Sequence, residues 1–406
     1  MLRTVSDMAL DIARIRGLFL ALGDGWIHLD APTGMQIPEQ VTTAVTTALR
    51  APVSGPGGLF PASQRADAIV DAARRALADL VGADPAGVVL GPSVAVLLQR
   101  LADALGQSWL VGDEVVVSRL DHPANIAPWR QAAQRCGGIT RWAEVDIETC
   151  ELPAWQYDSL VNNRTKVVAI TAASESVGTQ PDLHRVAEAA NKVGALMVVD
   201  ASAAAPFLPL DINTLPADIV AVSAAAWGGP PVAGLIFRDA NMLRRLPSSS
   251  LEPDAKGPER LELGPHQYPL LAGLVASIDY LAELDDAAVG PRRERLLHSL
   301  NSMRTHQTAL LNRLIDHLHI VGRVHVIGDA TRRVPALAFA VAGIPAIEVV
   351  AHLGQRGVCA FADSGHNGVF AALGVGEIGG AVRVGLAHYT NWADVDQLIT
   401  ALANLP

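Results

Sequence analysis

The chain has 406 residues, half of them hydrophobic and 18 % charged, which is ample apolar material for more than one packed core. Its 41 acidic and 31 basic residues leave a net charge of −10, and that balance excludes the clustered basic face of a nucleic-acid binder. No stretch approaches the ~18 uninterrupted apolar residues of a membrane span.

Asp7, Asp11, Arg14 and Arg16 break up the apolar positions at the N-terminus, so no signal-peptide core is expected. Cys136, Cys150 and Cys359 lie far apart with no Cys-x-x-Cys pair, which points to a reduced, cytoplasmic chain without disulfides. From residue 87 to 238 short Val/Ile-rich runs alternate with segments of helical spacing. The runs are 88–90, 114–118, 166–172, 195–200, 218–223 and 232–237. Apolar on consecutive positions, they read as strands buried on both faces, and the alternation predicts crossover connections and a mostly parallel sheet. A Pro/Ser-rich surface loop follows at 247–259. Two helices come next, the second a long amphipathic one starting at Pro291. The last ~80 residues carry a second, smaller set of strands and helices, which makes the long helix a natural hinge.

Several motifs offer chemistry. Gly-Val-Gly-Glu-Ile-Gly (374–379) matches a dinucleotide fingerprint in letters, but a strand follows it where a helix is required, so a glycine-rich loop is expected. Ser93 sits between a strand and a helix in Gly-Pro-Ser-Val-Ala. It reads either as a nucleophile elbow served by His266 or His388, or as a helix cap and anion contact. His317 and His319 are two apart, share no helix face and have no third ligand, so no metal site is expected. Asp200 and Ser223 each end an apolar strand, where α/β folds bind ligands.

Taken together, GDGWIHLDAPTG, DHPANIAPW, SESVGTQPDL, MVVDASAAAPFLPLDINTLPADIVAVS, GGPPVAGLIF, RLELG and AVRVGLAHY resemble the class V aminotransferase and cysteine desulfurase family. The resemblance runs from about residue 15 to the C-terminus. It implies the α/β fold type I of pyridoxal 5′-phosphate (PLP) enzymes. That fold has a large domain with a mostly parallel seven-stranded sheet (21–285), a small C-terminal α+β domain (286–406) and an N-terminal segment (1–20) packing against the small domain. It also implies a homodimer, with a different partner chain left open, and PLP as cofactor. Ser93 and Ser223 match phosphate contacts, Asp200 the acid on the pyridine nitrogen, and Arg383 the arginine on the substrate carboxylate.

The departures from that family are specific. Ala226 falls on the Schiff-base lysine and Ala225 on the phosphate-binding histidine. A methyl group neither condenses with an aldehyde nor carries a proton. Pro123 replaces the ring that stacks on the pyridine, Glu175 the asparagine facing the phenolate, and Ala203 a glutamine. Pro92 and Pro265 remove donors from the phosphate cup, and Gly368 lies near the desulfurase's catalytic cysteine, with Cys359 nine residues early. Only three lysines exist, Lys166, Lys192 and Lys256, and none is placed to substitute. The expectation is a PLP-enzyme fold without lysine-dependent catalysis and without covalent PLP. Such a chain would serve as a regulatory or partner subunit, or bind a carboxylate ligand through Arg383. The alternatives are an aminotransferase or lyase using non-covalent PLP, and a serine hydrolase using Ser93.

Overall fold

The computed structural model describes residues 10–252 and 254–405. Seven strands form the large sheet: β1 (Val88–Gly91), β2 (Glu114–Ser118), β3 (Ile139–Ala143), β4 (Thr165–Thr171), β5 (Leu196–Asp200), β6 (Ile219–Ser223) and β7 (Ala233–Phe237). Their order across the sheet is β1-β7-β6-β5-β4-β2-β3. β3, β2, β4, β5 and β6 run parallel, while β7 is antiparallel to both its neighbours, β6 and β1.

Strand alternation feeds two cores, one on each face. Val88, Leu90, Val116, Val168 and Ile170 pack on one side; Val89, Val115, Val117, Val167 and Ala169 pack on the other. This two-sided burial is why the strands read as continuous apolar runs in sequence. β3 is the exception that sequence patterning missed. It is the edge strand, Ile139 is exposed, and only Ala143 is buried, so it leaves no apolar run.

Crossover helices are locally encoded. Ser93 accepts a hydrogen bond from the Val96 N–H and caps helix Val94–Gly106; Asp182 does the same for Leu183–Val193, which stops at Gly194 in the left-handed region. The helix Arg292–Ile320 spans two cores. Leu296, Leu300 and Met303 pack with the large sheet, whereas Leu310, Leu311, Leu314 and Leu318 pack with the C-terminal unit. That unit holds an antiparallel sheet of β8 (Val324–Ile327), β9 (Ala336–Val341), β10 (Phe361–Asp363) and β11 (Ala381–Gly385), in the order β10-β11-β9-β8.

Residues 1–9 of the N-terminal segment lie outside the described residues. Beyond them Phe19 packs edge-on against Tyr280 and Tyr389, and Arg16 donates to the Asp394 carboxylate and the Tyr389 carbonyl, both at 2.7 Å. No helix among the described residues is long and apolar enough to cross a membrane.

Candidate functional site

β5 and β6 are parallel neighbours, so Asp200 and Ser223 emerge at the same carboxyl edge of the sheet. After Ser223 the chain makes a single 3₁₀ turn, Ala224–Trp227. Two features fix its rotation. The fully buried Trp227 donates its indole N–H to Ser277 Oγ at 3.0 Å. Gly228 follows at φ +86°, where a Cβ would lie 2.6 Å from the Gln36 carbonyl oxygen, so no other residue fits without displacing that backbone. With Trp227 buried against Ser277, Ala225 and Ala226 line a cavity of about 270 Å³.

Ser93, Asp200 and Ser223 line this cavity together, as do Glu175, Ala203 and the loop Ala31–Gly34. The three residues matched to phosphate and ring contacts are therefore one site. Arg383 is not part of the lining. It stands on β11 behind Glu175, with Nη2 3.3 Å from Glu175 Oε1, and its Nε is buried without a hydrogen-bond partner. The expected bidentate grip on a ligand carboxylate thus meets a carboxylate from the chain itself. Glu175 is held there by its loop. The Gly178 carbonyl accepts from the Val334 N–H at 2.8 Å, and the Gln180 N–H donates to the Arg332 carbonyl at 2.9 Å. Gly178 sits at φ +77°, and a Cβ there would run into the Ala336 carbonyl oxygen.

The aromatic wall differs from the sequence expectation. Pro123 is exposed and lies outside the lining, whereas His122 lines the cavity. The His122 ring Nδ1 accepts the Ala124 N–H at 3.1 Å while capping the Pro123–Asn125 turn. The loss of a ring at Pro123 is therefore accompanied by an imidazole one residue earlier, close enough to Asp200 to favour its charged form.

Beneath the cavity lies a polar network that sequence reasoning passed over. Asp121 is buried; it accepts from the Ser118 hydroxyl and, at 2.7 Å, from Asn125 Nδ2, whose own Oδ1 accepts the Trp129 indole N–H at 3.2 Å. Burial pushes the Asp121 carboxyl up to about 7 despite these donors, with the nearby Asp200 adding to the rise. Burial also raises Asp200, partly countered by the Ser202 N–H and hydroxyl, which donate to Oδ1 at 3.0 and 2.6 Å. Tyr157 contributes a buried hydroxyl with no partner among the described residues. The signal available in sequence was the pair of polar residues flanking His-Pro-Ala, Asp121 and Asn125, which entered only within a segment resembling the family.

The remaining candidates lie elsewhere. Lys166 pairs with Asp113 at 3.4 Å, at the opening end of β4, and Lys192 and Lys256 are exposed on a helix and the 247–259 loop. His266 pairs with the buried Glu262 at 3.1 Å, and His388 is bonded to the Pro206 carbonyl at 2.7 Å; neither lines the cavity beside Ser93. The Ser93 hydroxyl is engaged as a helix cap. Pro265 is exposed, and Gly368 and Cys359 are outside the lining. Among the described residues no group of His, Cys, Asp and Glu is arranged to hold a metal ion.

The cavity can be tested against PLP on its own chemistry. The lining contains Asp200 for a ring nitrogen, His122 as a flat neighbour and four serines, Ser93 and Ser223 among them, but neither Lys nor Arg. Its ionisable residues are two carboxylates and one imidazole. A dianionic phosphate finds a helix N-terminus and hydroxyls there without a cation, and an aldehyde finds no amine. The residues present do not fit a lysine-tethered coenzyme.

Comparison with known proteins places the scaffold. Residues 27–398 match the family described as Aminotransferase class-V. The chain is 51 % identical over 402 residues to an uncharacterized Mycobacterium tuberculosis protein, MT3887, covering 98 % of this chain and 100 % of that one. It is 29 % identical to the aminotransferase-like protein FGM3 of Gibberella zeae, over 98 % of this chain and 99 % of the relative. Among solved structures, the Escherichia coli cysteine desulfurase CsdA superposes with a TM-score of 0.83 at 24 % identity, over 97 % of this chain and 98 % of the other, which shows a shared fold. With its seven-stranded sheet, its C-terminal unit and its matched length, this chain belongs to the class V aminotransferase family.

Proposed function

We propose that this chain uses the class V scaffold as a small-molecule binding site without lysine-dependent PLP catalysis. The observation that carries the reading is that Ala225 and Ala226, on the turn after Ser223, line the cavity with no lysine beside them in the lining. What remains can bind and orient a ligand. Asp200 and Glu175 offer carboxylates, Ser93 and Ser223 offer hydroxyls, and the alanines give apolar contact. On this reading the chain acts in the cytoplasm as a ligand-responsive or partner subunit. Its surface supports assembly as a homodimer: Leu49, Leu59 and Phe60, on and after helix Glu39–Arg50, are exposed large apolar groups close together in sequence.

The test is spectroscopic. Purified protein should show no visible absorbance from a bound coenzyme, none after incubation with PLP, and no coenzyme fixed to the chain by borohydride. A coenzyme fixed covalently to any side chain would overturn the proposal. Saturable, borohydride-resistant binding of added PLP would instead favour the second reading, a non-covalent PLP enzyme, which the shared placement of Asp200, Ser93, Ser223 and His122 supports.

A further inference from the structure

We infer that Glu175 sets the charge preference of the cavity: by occupying Arg383 it makes the site a receptor for a cationic, amine-bearing small molecule and excludes carboxylates. This rests on the reading that no lysine-tethered coenzyme fills the site.

Arg383 is the cation nearest to this wall that the structure pairs with a lining residue, and its Nη2 is committed to Glu175 Oε1 at 3.3 Å. Its side chain is only 15 % exposed, so little water competes for that pairing. A ligand carboxylate would have to displace Glu175 and leave that carboxylate beside its own, which costs like-charge repulsion in a partly desolvated space. With Glu175 and Arg383 neutralising each other, the carboxylate left in the wall is that of Asp200, with the His122 imidazole as the other ionisable group. Asp200 is 7 % exposed, and both donors to its carboxyl, from Ser202, fall on Oδ1. Among the described residues no group donates to Oδ2, so a residue lining the cavity of about 270 Å³ keeps an open carboxylate acceptor. An ammonium group is the complement of such an acceptor, because it supplies both the charge and the missing donor. The rest of the wall is mostly apolar, with alanines, prolines, valines, Leu120 and Phe207 beside serine and threonine hydroxyls and the His122 ring, which suits an apolar body behind the amine.

Matched probes separate charge from shape: benzylammonium, benzoate and benzyl alcohol share a ring and differ in one substituent. Titration calorimetry on the full chain should show benzylammonium binding and no measurable benzoate binding. Glu175→Gln should tighten benzoate by about tenfold or more, the scale on which a freed, desolvated arginine acts. Asp200→Asn should abolish the preference for benzylammonium over benzyl alcohol. Arg383→Gln serves as the control for folding and should gain no benzoate binding. Wild-type protein binding benzoate as well as Glu175→Gln does, or no benzylammonium binding at all, would overturn the inference. Because these titrations use protein already shown by borohydride treatment to carry no fixed coenzyme, a failed charge preference is read separately from a failed coenzyme reading.

Discussion

The indole N–H of Trp227 donates to Ser277 Oγ at 3.0 Å, a buried bond that, together with Gly228 at φ +86°, fixes the rotation of the turn after β6. Ser277 in turn donates to the Leu274 carbonyl at 2.8 Å, so the indole rests on an oriented acceptor. Removing the hydroxyl strands a buried N–H. Ser277→Ala should therefore lower stability by about 1–3 kcal/mol, the range for an unsatisfied buried donor. Denaturant unfolding checks the loss, and Trp227→Phe in the same background should recover part of it because the donor itself is gone.

Ala226 is half-buried and lines the cavity, so a longer side chain introduced there is placed at the site. The double variant Ala226→Lys and Ala225→His should acquire visible absorbance with PLP, and borohydride should fix the coenzyme to the introduced amine. Adding Pro123→His should change little, since Pro123 lies outside the lining and His122 already occupies that wall. Mass spectrometry after reduction is the measurement.

Asp121 makes stability depend on pH in a defined direction. Its folded value, about 7, lies above the ordinary 3.8, so between those limits the folded state holds a proton that the unfolded chain has lost. Stability from this group is full below about 3.8 and is lost as pH rises towards 7. Asp121→Asn should gain on wild type steadily across that interval and then stay level. Buried His388 has the opposite sign. Lowered from 6.5 to about 4, it costs stability as pH falls between those values, so His388→Gln should gain on wild type in acid. Urea midpoints taken at several pH values read both slopes.

Gln307, on the long helix, is fully buried, and neither its side-chain nitrogen nor its oxygen has a partner among the described residues. Two stranded polar atoms in a packed interior cost more than an apolar side chain of similar volume. Gln307→Leu should raise stability by about 1–3 kcal/mol. Thermal and denaturant unfolding should agree on the sign.

How much of this was legible beforehand varies with the kind of information each feature needs. The strand Glu114–Ser118 and the helix after Asp182 were readable because periodicity and capping are local: an apolar run and a side chain reaching back to its own helix need no distant partner. The placement of Asp200 and Ser223 on one wall followed from strand ends in a parallel sheet, whereas Ser93 joined them only through the family resemblance. β3 escaped because an edge strand with one buried residue carries no apolar pattern.

Sequence alone determined that positions 225 and 226 are alanines, that only three lysines exist, and that the chain alternates strands and helices around a buried sheet. Only the tertiary structure decided that His122 faces the cavity and Pro123 does not, and that Glu175 reaches Arg383 across 208 positions of sequence. The reason is physical. Identity fixes what chemistry a position lacks, whereas pairing depends on loop closure and packing, here the docking of the Gly178 loop onto the strand region at Val334–Ala336, which no local pattern encodes.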